Sequence, residues 1–397
     1  MTDSQIRKSD KHVFLLGAGF SAGYGAPVMK GFMSQARRKY FALVAQNRSD
    51  PLVVCYEKMM VFQQECMRCS WAFNRDWDNI EELYTQADLL RLARYPNALQ
   101  ADTLCQQIAW TIWDVYREYD VGKHPPMNYV LESVAKHHWP VVITTNYDVL
   151  CEIGILGDEP RWSFFYPGFT LPWKAVPEKR SLLEEDATVG IEVRGVGNTK
   201  VVPVIKLHGS VNWFQYDKGS KLFATTDFGG HKARMNTSPK DVWVGISQPD
   251  FEKKVIKTWG HAICNDIPDD PTSAIIPPML GKMSVSPTIS LQWRSAIAAL
   301  ETAAHITIIG YSFPETDAFM TRLLAEGLKN NNGLEDITIV DIRAKEDWAR
   351  RLERIFTPTL RQTKVKYEES DAKDFLTSLA NAGRPKGTAA VYTSTPH

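Results

Sequence analysis

Val13-Phe14-Leu15-Leu16-Gly17-Ala18-Gly19-Phe20-Ser21-Ala22-Gly23 is the stretch on which the fold turns. Four consecutive apolar residues run into a glycine turn, the pattern of a strand buried on both faces that feeds a helix. Glycines in this setting let a pyrophosphate approach backbone N–H groups at a helix start, and Ser21 adds a hydroxyl donor. Read alone, the same glycines equally suit a tight structural turn without a ligand. A nicotinamide dehydrogenase places an acidic residue about 20 positions further on to hold the adenosine ribose. Here that region reads Arg37-Arg38-Lys39-Tyr40-Phe41, which argues against hydride transfer on a conventional dinucleotide domain.

The same short, β-branched pattern returns at Val141-Val142-Ile143-Thr144, at Val201 to Leu207, at Ala274-Ile275-Ile276, at Ile306-Thr307-Ile308-Ile309 and at Ile337-Thr338-Ile339-Val340. Such runs predict strands covered by helices on both faces. Between roughly Gly31 and Trp139 the period changes. Ile80, Leu83, Ala87 and Leu90 share one helix face, as do Cys105, Ile108, Ala109, Ile112 and Trp113. Asp78-Asn79-Ile80-Glu81-Glu82 supplies an N-cap and acidic first-turn residues for the first of these helices. The expected class is α/β, with a Rossmann-like, mostly parallel sheet built from residues 1–30 and 140–380. A helical module is inserted at 31–139, and 381–397 reads as a flexible tail. Pro172 to Lys200 and Phe214 to Ile256 read as surface excursions.

A length of 397 residues suits one large core with an insertion. The hydrophobic fraction of 44% and charged fraction of 23% are those of a globular chain. Lys plus Arg and Asp plus Glu balance at 46 each, so no overall positive field gathers nucleic acid or anionic lipid. Met1 to His12 is polar and no run of about 18 apolar residues follows, so neither secretion nor membrane spanning is expected. Six scattered cysteines, at 55, 66, 69, 105, 151 and 264, fit a reducing cytoplasm. Only Cys66 and Cys69 form a C-x-x-C pair, and zinc needs four ligands, so core or helix-face thiols and no metal are expected.

Three further stretches put polar residues at the carboxyl ends of predicted strands, where ligands of open α/β sheets bind. In Thr144-Thr145-Asn146-Tyr147-Asp148, Asn146 can donate and accept at once, and Asp148 can accept from a ribose hydroxyl or an amide. An Asx-turn capping the next helix explains the same residues without a ligand. Lys206-Leu207-His208-Gly209-Ser210 sets an imidazole beside a glycine that admits close backbone approach, a setting unique among the nine histidines. His208 is either a general base suited to neutral pH or a hydrogen-bonded structural group. Gly310-Tyr311-Ser312-Phe313-Pro314-Glu315-Thr316-Asp317 reads as a second nucleotide-contacting turn, with Ser312 available to phosphate or ribose. Asp341 ends the next strand, where its carboxylate accepts either ribose hydroxyls or water.

Taken in order, Gly17-Ala18-Gly19-Phe20-Ser21, Thr144-Thr145-Asn146-Tyr147-Asp148, Lys206-Leu207-His208-Gly209-Ser210 and Gly310-Tyr311-Ser312 resemble the sirtuin superfamily, particularly its bacterial sirtuin-like branch. The likeness runs over the sheet-forming parts from about Val13 to Asp341. Sirtuin deacylases carry a zinc ribbon of two C-x-x-C pairs after the catalytic histidine, whereas only Cys264 follows His208. Where deacylases have a Phe-Gly-Glu segment for the acyl-lysine peptide, this chain reads Ile275-Ile276-Pro277-Pro278-Met279-Leu280-Gly281-Lys282. The branch without those features resembles the NAD glycohydrolases of bacterial anti-phage defence, of the Thoeris and sirtuin–HerA types.

The resemblance implies cleavage of NAD to nicotinamide and ADP-ribose, with Asn146 and His208 catalytic. It implies an NAD pocket of Gly17, Ala18, Gly19, Ser21, Thr145, Asp148, Gly310, Ser312 and Asp341. NAD is then the substrate, and no further cofactor is expected. A homo-oligomer and a HerA-type ATPase are the implied partners. The competing readings are a non-catalytic NAD or ADP-ribose sensor or assembly module and, less favoured, a protein deacylase.

Overall fold

The computed structural model describes residues 10–29, 31–72, 76–94, 98–117, 124–156, 162–167, 200–216, 221–224, 272–275, 287–314 and 317–383. Seven of its strands are β1 (Lys11–Leu16), β2 (Trp139–Thr144), β3 (Trp162–Phe165), β4 (Lys200–Lys206), β8 (Ala303–Ile309), β9 (Asp336–Asp341) and β10 (Val365–Glu369). They form one sheet in the order β10-β9-β8-β1-β2-β4-β3. Every pairing is parallel. This is the expected Rossmann-like α/β architecture. Val13, Phe14, Leu15 and Leu16 are buried, as are Val141, Val142 and Ile143 beside them and Ile306, Ile308 and Ile309 on the other flank. Each such side chain stabilises the fold by roughly 1.5–3 kcal/mol on leaving water, so the central strands carry the core.

Strand order reverses at β1. From β1 the chain steps to β2 and β4 on one side and later to β8, β9 and β10 on the other. The carboxyl ends of β1, β2 and β8 therefore open around a topological switch point, the place where such sheets bind ligands.

Between β1 and β2 lie the short helix Ala18–Ala22 and the helices Phe32–Gln46, Pro51–Met67, Ile80–Leu92, Ala98–Arg117 and Met127–Val134. Ile80, Leu83 and Ala87 bury the predicted face of their helix, and Asn79 caps it by accepting from the Glu81 N–H at 2.9 Å. Cys105, Ile108, Ala109 and Ile112 do the same in the next long helix, whose Trp113 donates its indole N–H to the Val211 carbonyl at 2.8 Å. That bond ties the inserted helices to the strand after His208. The helix Ala372–Gly383 packs against Met127–Val134 and runs past the expected start of the tail. Residues 384–397 lie outside the described residues, as do most of the two expected surface excursions.

One expected strand belongs elsewhere. Ala274-Ile275 lies in β7 (Thr272–Ile275), which pairs antiparallel with β5 (Gly209–Tyr216), itself paired with β6 (Lys221–Ala224) in a separate three-stranded sheet. A short apolar run announces a buried strand but not its partner, and here the partner is the strand that follows His208. Gly209 makes this possible. Its φ is +78°, and a Cβ there would lie 1.8 Å from the Ala274 carbonyl oxygen, so only glycine lets β7 cross the turn.

Cys55, Cys66, Cys69, Cys105 and Cys151 are free thiols, while Cys264 lies outside the described residues. Cys66 lies in the last turn of the helix Pro51–Met67, where burial pushes its thiol up to about 12, and the Cys69 thiol donates to the Cys66 carbonyl. Among the described residues no cluster of three or more His, Cys, Asp or Glu is arranged to hold a metal, and no helix is long and apolar enough to cross a membrane.

Candidate active site at the carboxyl end of the sheet

A cavity of about 220 Å³ opens at the switch point. Ala18 and Ser21 line it from the turn after β1, and Thr145, Asn146, Tyr147 and Asp148 from the loop after β2. His208 enters from the end of β4, and Gly310, Tyr311, Ser312 and Asp317 from the segment after β8. Four separate chain segments thus converge, and both residues expected to react are among them.

The glycines are packed against each other. Gly17 N–H donates to the Ile309 carbonyl at 3.0 Å and Gly19 N–H to the Gly310 carbonyl at 2.8 Å, so the turns after β1 and β8 touch backbone to backbone. A Cβ on Gly17 would sit 2.5 Å from Tyr311 Cα, and one on Gly310, whose φ is +62°, 2.3 Å from the Phe20 nitrogen. Of the three only Gly310 lines the cavity; Gly17 and Gly19 hold the floor beneath it.

Asn146 clamps this floor. Its Nδ2 donates to the Gly17 carbonyl and to Ser21 Oγ, each at 2.8 Å, while its own N–H is held by Thr144 Oγ1 at 3.0 Å. Both amide hydrogens are therefore spent within the protein, and the chemistry left to Asn146 is acceptance at Oδ1. Thr145 N–H closes the same loop onto the Leu16 carbonyl at 3.1 Å.

Asp148 is buried, accepts from the Leu150 N–H at 3.1 Å, and also receives a hydrogen bond from Ser21. Burial raises its carboxyl above the usual range, against the opposing pull of the Lys206 charge and the Ser21 bond. Lys206 lies beneath, its Nζ 2.9 Å from Glu152 Oε1 with both side chains 0% exposed, and it also donates to the Asp148 carbonyl at 2.6 Å. The Tyr166 hydroxyl donates to the same Glu152 oxygen at 2.8 Å. This buried pair fixes the loop that carries Asn146 and Asp148, and removing one partner costs about 3–5 kcal/mol because the other charge stays buried.

His208 is sequestered with a carboxylate. Its Nε2 lies 3.6 Å from Asp317 Oδ2, with side-chain exposures of 4% and 2%. The Tyr311 hydroxyl donates to the same Asp317 oxygen at 2.8 Å. Burial, followed by the Asp317 charge, holds the Tyr311 phenol well above its ordinary range, so it remains a donor. Tyr147 stands with its ring centroid 6.3 Å from that of His208.

The inserted helices form the opposite wall through Asn79, Glu81 and Tyr116. In the sequence Glu81 shows only as a helix-start residue, and Tyr116, Tyr147, Tyr311 and Asp317 carry no signal of their own. Asp317 was visible as the last residue of the turn after β8, but its partner is His208, on another strand. Two further residues of the expected pocket divide: one lines the cavity and one does not. Ser312 lines the cavity, with its carbonyl taken by the Arg351 guanidinium at 2.6 Å. Asp341 is not among the lining residues; it accepts from Arg343 Nε at 3.0 Å and from the Arg343 N–H at 2.9 Å.

No family model matches the chain, and no curated protein matches it. It is similar to a solved structure described for the mechanism and regulation of Sir2 enzymes, at 14% identity and a TM-score of 0.39, covering 95% of this chain and 92% of that one. It is also similar to the structure of Sir2Af2 bound to a myristoylated histone peptide, at 12% identity and a TM-score of 0.35, with 95% and 92% covered.

Proposed function

We propose that the chain hydrolyses NAD at the nicotinamide–ribose bond, releasing nicotinamide and ADP-ribose. The observation that carries this reading is the convergence of Asn146, His208, Ser21 and the turn Gly310–Ser312 on one cavity at the switch point of a parallel sheet. In the reaction the C1′–N bond breaks and its electron pair goes to nicotinamide, which leaves neutral and needs little acid help. The ribose passes through a cationic, oxocarbenium-like state that water captures. His208 accepts the proton that the water gives up, a role suited to an imidazole near neutral pH.

The cavity wall matches this charge pattern. Among the described lining residues there are three carboxylates, Glu81, Asp148 and Asp317, and no lysine or arginine. Negative groups around the reacting end favour a positively charged pyridinium and the cation that follows its departure. The Ser21 hydroxyl, which accepts from Asn146 Nδ2 and donates to Asp148, ties the glycine floor on the proposed pyrophosphate side to the loop that carries both residues.

NAD depletion in anti-phage defence is the biological role this reading extends to, on the strength of the motif order in the sequence. Self-association and a HerA-type ATPase are the partners proposed with it. Among the described residues, seven of the eight large apolar side chains that stand exposed, Phe41, Val54, Val61, Met67, Trp71, Leu89 and Leu92, belong to the inserted helical region. Exposed apolar surface of this kind marks association surfaces.

The test is nicotinamide release from NAD by the purified chain, measured for wild type and for Asn146→Ala and His208→Ala. Release that both substitutions abolish supports the hydrolase. NAD binding without release, alone and with candidate partners, overturns it and leaves a sensor.

A further inference from the structure

We propose that Asp317 is a positioning residue that acts through His208, stabilising the imidazolium formed when His208 takes a proton, and that Tyr311 holds the Asp317 carboxylate for this task. The inference rests on the proposed NAD cleavage for what His208 does to substrate; the pairing itself stands on geometry alone.

Asp317 immediately precedes the helix Ala318–Leu328, at the N-cap position. An aspartate there ordinarily accepts from the first-turn N–H groups, a contact worth about 0.5–2 kcal/mol. Asp317 makes no such side-chain bond. Its carboxylate turns instead to His208 Nε2 at 3.6 Å and to the Tyr311 hydroxyl at 2.8 Å. Its backbone is fixed independently, with its N–H donating to the Pro314 carbonyl at 3.0 Å and its carbonyl accepting from the Met320 N–H at 3.2 Å. A residue held by its backbone, with its capping contact forgone, directs its charge at the one histidine among the described lining residues.

At 3.6 Å the contact is an ion pair rather than a hydrogen bond, so it does little for neutral imidazole and much for imidazolium. That matches a general base, whose charged form exists only once the proton has moved. Among the described residues, the titratable groups that line the cavity with His208 and Asp317 are Tyr147 and Asp148 from the loop after β2, Glu81 and Tyr116 from the inserted helices, and Tyr311 from the turn after β8, while the buried Lys206 lies two residues before His208 on β4. Tyr311 gives Asp317 a donor that cannot carry away its charge, because its own phenol stays protonated.

The experiment is a pH profile of nicotinamide release for wild type, Asp317→Asn and Tyr311→Phe, with an NMR titration of the His208 imidazole assigned against His208→Gln. Asp317→Asn is expected to move the acid limb of kcat/KM, and the imidazole titration, to lower pH by at least about half a unit. It is expected to lower kcat about tenfold or more with little change in KM, part of the 10²–10⁴ that a general base contributes. Tyr311→Phe moves both in the same direction by less, and it decides the matter should Asp317→Asn fail to fold. An acid limb and a titration left at the wild-type position in both variants overturn the inference. Wild type that releases no nicotinamide removes the hydrolase reading instead, and the NMR titration then still decides the pairing.

Discussion

The sheet carries a histidine–carboxylate pair at each end, and the carboxyl-end pair lines the cavity. At the carboxyl end His208 meets Asp317, both almost wholly buried among lining residues of the pocket. At the amino end His305 Nδ1 meets Asp336 Oδ2 at 3.2 Å, with exposures of 19% and 18%, and Asp336 is shared with Lys366 at 2.8 Å. His305 also packs against His138 and His12, at centroid separations of 4.5 and 5.5 Å. The residue types match, yet one pair stands at the opening of a strand-order reversal and the other at the amino ends of β8 and β9. Pairing alone makes no site; the switch point supplies the opening.

The largest effect that tests this contrast is on turnover. His208→Ala is expected to lower kcat for nicotinamide release by about 10²–10⁴ while leaving the thermal midpoint near wild type. Retained turnover would falsify the assignment of the base and leave the carboxyl-end pair structural, like its counterpart.

The contrast was partly legible in the sequence. β1, β2, β4, β8 and β9 announce themselves because strands buried on both faces are continuous apolar runs, and the polar residues that end β1, β2, β4 and β8 stand out against them. β10, with its sequence Val365-Lys366-Tyr367-Glu368-Glu369, was not visible, since an edge strand facing water carries charges like a loop. β3 is four residues long and aromatic rather than β-branched. The carboxyl-end pair was half legible: His208 follows a β-branched strand, whereas Asp317 is recognisable only once separate strands are folded together. The glycines were legible as a turn, but their chief contact, each other's backbone, depends on β1 and β8 being neighbours although Gly17 and Gly310 are far apart in sequence.

The amino-end cluster predicts acid sensitivity of the fold rather than of the chemistry. His12 donates or accepts at Thr307 Oγ1, 2.8 Å away, and stacks on Phe14. Burial first, then the charges of His305 and His138, hold its imidazole down to about 3. The unfolded chain binds this proton near pH 6.5. The folded chain does not until about pH 3, so the contribution is present in full above 6.5 and declines as pH falls between those values. The loss approaches about 5 kcal/mol in total. Urea midpoints measured from pH 7 to pH 4 should fall steadily, and His12→Asn should flatten that slope. An unchanged slope would place the acid sensitivity elsewhere, in groups other than this cluster.

Ser21→Ala separates binding from chemistry at the carboxyl end. Ser21 accepts from Asn146 Nδ2 and donates to Asp148, so its loss loosens the floor without touching His208. KM for NAD is expected to rise several-fold, consistent with roughly 0.5–1.5 kcal/mol for one hydrogen bond, with kcat changed less. A change in kcat alone would shift Ser21 from holding substrate to arranging Asn146.

The smallest effect is the sharpest check on the comparison. His305→Ala removes the amino-end counterpart of His208, at the opposite ends of neighbouring strands from the cavity. Its bridges to Asp336 and Glu335 are partly exposed, and such pairs contribute about 0–1 kcal/mol. Nicotinamide release should keep its kcat, its KM and its pH profile, and the thermal midpoint should shift by only a few degrees. At pH 5 the variant should lose less stability relative to pH 7 than wild type does, because the His305 charge is one of the causes that keep His12 and His138 unprotonated. A fall in kcat with an intact fold would mean that the two ends are coupled through β1 and β8, and the division of the two pairs into one at the cavity and one apart from it would no longer hold.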